Sequence, residues 1–240
     1  MSVDLATLLI LKPRYHSHSR SMDLEKFRND VYDVTEKLSK NLEPADMPKL
    51  NFVRQQLIEM YQKNVVKINH SVLELICAAN LISHGHSVEV EKQISDILVC
   101  DVFGKKGGGN TIIEIETGFT PPEHALDTID YYAARIMSKI ARYSQHCTKF
   151  SLAIPVIGLL PLPKLFLLPP NARDEAQLKS VKQLCDKYYK HPPIEYEDIL
   201  NSRLHSIYLI NIDKGFAKEL DPITYVDLTE KFLQRSEVVY

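Results

Sequence analysis

Two apolar segments joined by a glycine-rich turn place the strongest constraint on the fold. Residues 97–104 (ILVCDVFG) and 111–118 (TIIEIETG) are rich in β-branched residues, which suit a buried strand, and KKGGGN lies between them. The two segments therefore predict an antiparallel β-hairpin. Because residues two apart share a face of a strand, Glu114 and Glu116 stand side by side, while the neighbouring isoleucines point the other way.

Two glutamates are unexpected in so apolar a strand, because like charges repel and burial of either is costly unless water or a cation compensates. If the hairpin closes at the glycines, Asp101 lies close to Glu114. Glu74, in the helical segment before the sheet, adds a further carboxylate. Because hard cations prefer oxygen ligands, and such an ion activates water beside a phosphodiester, this cluster predicts a phosphodiesterase site that holds Mg²⁺ or Mn²⁺.

Composition narrows the class of protein. A chain of 240 residues, 45% hydrophobic and 25% charged, is long enough for one large domain or two small ones. The net charge of −2 gives no global sign of nucleic-acid binding, so any such site must be a local patch. Four cysteines without a CxxC pair predict neither structural zinc nor disulfides and fit a reducing cytoplasm.

The chain also predicts a soluble protein that does not enter a membrane. Its N-terminus lacks the pattern of a signal peptide. The longest uncharged apolar stretch, residues 151–163, is interrupted by prolines and is too short for a membrane span. These features indicate a cytoplasmic location.

Hydrophobic periodicity predicts an α/β chain with a mixed sheet. Residues 1–64 are predicted to form an N-terminal helical arm, and residues 65–240 an α/β domain whose motif-bearing core spans 68–156. The predicted helices cover 22–41, 51–63, 71–85, 123–144 and 173–190, and the predicted strands cover 87–92, 97–104, 111–118, 150–158, 164–170 and 206–213.

The order and context of four acidic residues resemble those of a known superfamily. Glu74 stands in HSVLELI, Asp101 in LVCDVFG, and Glu114 and Glu116 in IIEIETG. Over residues 68–156 the chain resembles the PD-(D/E)xK nucleases, with archaeal and archaeal-virus nucleases and Holliday-junction resolvases as the nearest likeness.

This resemblance implies a restriction-endonuclease-like core, in which a helix, a three-stranded meander, a helix and a strand follow one another. It implies a Mg²⁺- or Mn²⁺-dependent endonuclease that cuts DNA, including branched DNA, without an organic cofactor. Asp101 and Glu114 would bind the metal with help from Glu74. Many members dimerise, so a homodimer is also implied.

One position departs from the superfamily pattern, because Glu116 stands where a catalytic lysine is usual. Some restriction endonucleases carry a glutamate there, and other members recruit a side chain from the following helix. The segment KIARY places Lys139 and Tyr143 one turn apart, so Lys139 is the candidate replacement. Glu116 and Lys139 would then orient or deprotonate the attacking water.

The segment 131–150 contains no acidic residue. Arg135, Lys139 and Arg142 fall on one helical face, and Lys105 and Lys106 lie at the hairpin tip. These five cations are candidates for contact with a nucleic-acid backbone. A solvated basic face is the alternative.

Alternatives also exist for the acidic residues. SVLE matches an S-x-x-E capping box, with Ser71 as N-cap and Glu74 bonded to its amide. His70 is then a solvated residue beside the cap. Glu89 and Glu91 show the same spacing as Glu114 and Glu116, but the strand is less apolar and predicts a solvated face.

Two other functions compete with the nuclease. The missing strand lysine permits a catalytically degenerate DNA-binding or assembly protein on the same fold. A glycosidase that uses Glu114 and Glu116 as its acid pair is weaker, because both acids lie on one strand and the chain has no tryptophan for sugar stacking.

Overall fold

A six-stranded mixed β-sheet forms the centre of the protein. The computed structural model describes residues 13–66 and 68–237. The strands lie in the sheet in chain order; the first three and the last pair are antiparallel, whereas the third, fourth and fifth are parallel. They are β1 (Ser87–Gln93), β2 (Val99–Lys106), β3 (Gly109–Ile115), β4 (Lys149–Pro155), β5 (Ser206–Asn211) and β6 (Phe216–Leu220).

Helices cover both faces of this sheet, which confirms the predicted α/β class. On one face lie α1 (Pro13–Ser39), α2 (Met47–Gln62) and α3 (Ile68–Ser83), and on the other lie α4 (Thr128–Tyr143), α5 (Glu175–Tyr188), α6 (Tyr196–Asn201) and α7 (Pro222–Glu237). Because side chains alternate along a strand, Ile113 and Ile115 are buried in the core beneath α1, α2 and α3. Ile112 is buried in the core beneath α4 to α7.

The predicted hairpin is confirmed, and its register fixes the site. Val102 pairs with Ile113 and Lys106 with Gly109, so the chain turns at residues 107 and 108. Gly107 has a φ of 57°, which glycine adopts without strain. Gly104 allows close packing of α3, because a Cβ there would lie 2.9 Å from Cδ1 of Leu81 and the leucine side chain would have to shift.

The N-terminal helices share the core of α3. Phe27 of α1 and Leu57 of α2 are buried in the same cluster as Leu75. Residues 1–12 of the predicted arm lie outside the described residues.

Several element boundaries differ from the sequence prediction. The predicted strand at 164–170 is wrong, since Lys164–Leu167 form a 3₁₀ helix between prolines that cannot donate to a β-ladder. Helix α3 begins at Ile68, one turn earlier than predicted. Strand β6 and helices α6 and α7 were not predicted from the sequence.

No helix within residues 13–66 and 68–237 has the length and apolar character needed to cross a membrane.

The core on the α3 face predicts a matched pair of substitutions. Leu75 is 0% exposed and Leu126 is 103% exposed. We expect Leu75→Ala to lower the free energy of unfolding by about 2–5 kcal/mol, because it leaves a cavity. Leu126→Ala should change it by less than about 0.5 kcal/mol. Urea unfolding followed by circular dichroism measures both, and equal effects of the two substitutions would contradict the packing described.

Candidate functional site

Asp101 and Glu114 meet across the open end of the hairpin. The paired register of β2 and β3 ends at Val102 and Ile113, which directly adjoin these two residues. The amide of Ile115 donates to Oδ2 of Asp101 at 2.6 Å, and the amide of Asp101 donates to Oε1 of Glu114 at 3.1 Å. The two carboxylates thus replace backbone carbonyls as acceptors, and the expected proximity of Asp101 to Glu114 is confirmed.

Lys139 of α4 joins these carboxylates to Glu116. Its Nζ lies 3.0 Å from Oε2 of Glu114, 2.8 Å from Oε1 of Glu116 and 3.8 Å from Oδ2 of Asp101. It also donates to the carbonyl of Ile115 at 3.2 Å. The structure therefore places the sequence-predicted replacement lysine in the centre of three carboxylates.

Arg135, one turn before Lys139 on α4, holds the other oxygen of Glu116. Its Nη2 lies 3.0 Å from Oε2 of Glu116, and its Nη1 donates to the carbonyl of Phe119 at 2.6 Å. Glu116 is therefore buried between two cations. The positive charge that compensates the buried glutamates at the end of β3 therefore comes from Lys139 and Arg135 of the protein itself.

The other predicted phosphate-binding cations lie apart from this cluster. Arg142 donates to the carbonyl of Pro192 at 2.6 Å and packs on the ring of Tyr189. Lys106 donates to the carbonyl of His84 at 2.8 Å and, like Lys105, lies at the hairpin end opposite Asp101.

A second group of residues adjoins Asp101 from the side of α3. His70, Glu74, Glu91 and Asp101 each offer one ligand atom, and these atoms lie within 4.8 Å of one another. Nδ1 of His70 lies 2.7 Å from Oε1 of Glu74, and its Nε2 lies 3.8 Å from Oδ2 of Asp101. We call these four residues the cation group.

The start of α3 explains why His70 and Glu74 meet. Because the helix begins at Ile68, these residues lie at i and i+4 on one face. Ser71 is inside the helix and buried, so the alternative of a capping box is wrong. His70 is half-buried against the carboxylates and is not a solvated residue.

Glu91 reaches the cation group through an unusual backbone conformation. It lies between Val90 and Lys92, which pair with β2 on either side of Asp101. Its φ is 47°, a left-handed conformation that a glutamate adopts at a cost and that is often found at functional sites. Glu89, by contrast, is exposed and binds Lys92. The predicted solvated face is thus correct for Glu89 and wrong for Glu91.

Burial and mutual repulsion raise the pKa values of carboxyl groups in the cation group. Burial raises the pKa of Glu74, and its hydrogen bond with His70 only partly opposes this rise. Glu74 is 0% exposed, and its Oε2 has no hydrogen-bond partner among the described residues. Burial and the charges of Glu74 and Asp101 raise the pKa of Glu91 to about 8.

The basic members of the site are held in their charged forms. Burial lowers the pKa of His70, but the hydrogen bond to Glu74 and the charge of Asp101 outweigh burial and raise it to about 9. Burial also lowers the pKa of Lys139, but the charges of Glu114, Asp101 and Glu116 raise it well above its usual value. Lys139 is therefore an ammonium ion at neutral pH.

The cation group fits a divalent cation. It offers one imidazole nitrogen and three carboxylates, and Oε2 of Glu74 is buried without a hydrogen-bond partner among the described residues. Two of the three predicted ligands, Glu74 and Asp101, belong to this group, while Glu114 faces Lys139. Sequence reasoning missed His70 and Glu91 as members.

Comparisons with protein-family models, with curated proteins and with solved structures found no match for this chain. The geometry and charge of the site are therefore the basis for a functional assignment.

Loss of the central ammonium should destabilise the protein strongly. We expect Lys139→Met to lower the free energy of unfolding at pH 7 by about 3–5 kcal/mol, because it leaves buried carboxylates without their cation. Lys182→Met is the matched control, since Lys182 forms a surface pair with Asp186 at 2.6 Å and its loss should cost about 1 kcal/mol or less.

A double substitution tests whether the cost arises from the carboxylates. In a Glu116→Gln background, Lys139→Met should cost less than in the wild type, as a double-mutant cycle by urea unfolding would measure. An additive result would mean that the pair of Lys139 and Glu116 contributes nothing to stability.

Proposed function

We propose that the protein is a cation-dependent nuclease of the PD-(D/E)xK type, with a restriction-endonuclease-like core, that hydrolyses phosphodiester bonds in DNA. One observation carries the proposal: Asp101 is shared between the cation group and the Lys139 ammonium. A phosphodiesterase needs this combination, a place for a divalent cation beside a fixed positive charge.

The cation group would hold the metal, Mg²⁺ or Mn²⁺, through His70, Glu74, Glu91 and Asp101. Because both ring nitrogens of a protonated histidine are donors, His70 would release a proton on binding the metal. A divalent cation bound there would supply a Lewis acid that stabilises the negative charge developing during phosphodiester hydrolysis.

Lys139 supplies charge and orientation. Its pKa is raised by the surrounding carboxylates, so it does not accept a proton at neutral pH. Of the two roles that the sequence suggested, orientation is therefore favoured over deprotonation. Glu114 and Glu116 fix the ammonium from two sides, and Arg135 holds Glu116 in place. A preorganised positive charge of this kind stabilises anionic transition states without reorganisation.

The second candidate function is that of a protein with the same fold that does not hydrolyse phosphodiester bonds. Glu114 and Glu116 are both paired with cations of α4, as expected of a structural ion-pair network. This observation favours a DNA-binding or assembly protein with a degenerate site. The homodimer stays a prediction for either function, and light scattering coupled to gel filtration measures it directly.

Cleavage assays distinguish the two functions. We expect the wild type to cut supercoiled plasmid, branched junctions or single strands with Mg²⁺ or Mn²⁺ and not with EDTA. Asp101→Asn should lower the rate at least about 100-fold, because it removes a charge that both halves of the site use. The asparagine oxygen still accepts from the amide of Ile115, so folding should persist.

Glu89→Gln is the control, because Glu89 lies on the same strand as Glu91 but outside the cation group. Cleavage that survives Asp101→Asn would refute the assignment of the site. DNA binding without cleavage under every metal condition would favour the second function.

Metal binding tests the cation group without reference to activity. We expect His70→Gln to weaken Mn²⁺ binding about tenfold or more, as followed by electron paramagnetic resonance of free Mn²⁺. His84→Gln is the matched control, since the His84 side chain is exposed and, among the described residues, bonds within its own helix end. Equal Mn²⁺ affinity in the two variants would exclude His70 as a ligand.

A further inference from the structure

A positively charged groove lies at the edge of the sheet opposite the cation group. It has a volume of about 510 Å³ and is bounded by Arg173, Arg203 and His205, with Leu168 and Pro169 on its apolar wall. His205 immediately precedes β5, whereas Glu116 follows the end of β3. Because β3, β4 and β5 are parallel, the starts and the ends of these strands lie at opposite edges.

The groove has a surplus of positive charge. Within the described ranges, neither Arg173 nor Arg203 forms an ion pair with a carboxylate. Burial lowers the pKa of Arg173, and the charge of Arg203 lowers it further. Burial likewise lowers the pKa of His205, together with the charges of Arg203 and Lys149. The charges that lower these two pKa values belong to the cations Arg203 and Lys149, so the groove would attract an anion.

Arg173 forms the base of the groove and does not contact a ligand itself. Its guanidinium donates to the carbonyls of Leu168, Ile199, Leu200 and Ser202 and to the hydroxyl of Ser202. These bonds occupy Nε, Nη1 and one N–H of Nη2, and they tie the segment after the 3₁₀ helix to the end of α6. Its contribution to ligand binding is a fixed positive charge without a carboxylate.

His205 and Arg203 retain donors for a ligand. Nδ1 of His205 accepts a hydrogen bond from the amide of Phe150 at 3.0 Å, so the neutral ring carries its proton on Nε2 and donates there. Arg203 is exposed, and among the described residues its backbone amide donates to Oγ of Ser144 while its guanidinium forms no hydrogen bond. A guanidinium presents a planar fork of donors that matches the oxygens of a phosphate.

We propose that this groove binds a phosphate group, which Arg203 and Nε2 of His205 contact and Arg173 attracts. A phosphate monoester carries about 1.5 to 2 negative charges at neutral pH, which matches two uncompensated arginines better than a single carboxylate does. The phosphate is either free, as in inorganic phosphate or a mononucleotide, or it is the terminal phosphate of a nucleic-acid strand. The proposal is independent of nuclease activity at the cation group.

Calorimetric titration in EDTA tests this proposal, because EDTA removes divalent cations from the opposite edge. The probes are inorganic phosphate, a nucleoside 5′-monophosphate, and a short single-stranded oligonucleotide with and without a 5′-phosphate. We expect a phosphate-bearing probe to bind, and Arg203→Gln to weaken that binding about tenfold or more, since a charged hydrogen bond is lost. Arg28→Gln, at an exposed arginine of α1, is the matched control and should bind like the wild type.

The pattern of binding identifies the source of the phosphate. Binding of the small probes assigns a free phosphate or nucleotide, and binding of the 5′-phosphorylated oligonucleotide alone assigns a strand end. The proposal is overturned if no probe binds, if Arg203→Gln binds as tightly as the wild type, or if the oligonucleotide binds equally without its phosphate. Because Arg203 is exposed, its replacement should leave the unfolding midpoint unchanged, which urea unfolding checks.

Discussion

The site and strand β3 depend on the ion pairs that the ammonium of Lys139 forms with the surrounding carboxylates. A central strand with two buried glutamates is stable only if positive charge reaches it. Four residues along a helix advance about 6 Å, and two residues along a strand advance about 6.6 Å. Arg135 and Lys139 on α4 are therefore spaced like Glu116 and Glu114 at the end of β3. Because the helix runs antiparallel to the strand, Arg135 contacts Glu116 and Lys139 contacts Glu114. This match fixes how α4 lies on the sheet.

Asp101 connects two groups with different electrostatics. Toward α4, Glu114 and Glu116 are paired with cations. Toward α3, Glu74 and Glu91 belong to the cation group, in which His70 is the basic member among the described residues. Burial raises the carboxyl pKa values on both sides, that of Glu114 on the first and those of Glu74 and Glu91 on the second, and Lys139 partly opposes the rise at Glu114. One residue belongs to both sides, so chemistry that needs a metal and an ammonium together centres on Asp101.

Local signals explain which parts of this site the sequence predicted. A glycine turn and alternating side chains define the hairpin, so the proximity of Asp101 to Glu114 follows from residues close in the chain. The resemblance to the PD-(D/E)xK nucleases, some of which recruit a side chain from the following helix, pointed to Lys139 in KIARY. Glu91 was missed because its role depends on a left-handed φ of 47°, which no spacing encodes. His70 was missed because the capping pattern at Ser71 suggested a later helix start, whereas packing of α3 extends the helix back to Ile68.

The balance of charge favours a cation over a purely structural network. Among the described residues the site brings together five carboxyl groups, those of Glu74, Glu91, Asp101, Glu114 and Glu116, and three basic groups, those of Lys139, Arg135 and His70. Burial and the charges of neighbouring carboxylates raise the pKa values of Glu91 and Glu114 to about 8, so protons compensate part of this crowding at neutral pH. A divalent cation bound in the cation group would displace protons from its ligands. A network that served stability alone would gain nothing from additional buried acids, since each costs desolvation. Glu74 and Glu91 lie in the cation group, away from the lysine, and Oε2 of Glu74 has no hydrogen-bond partner among the described residues.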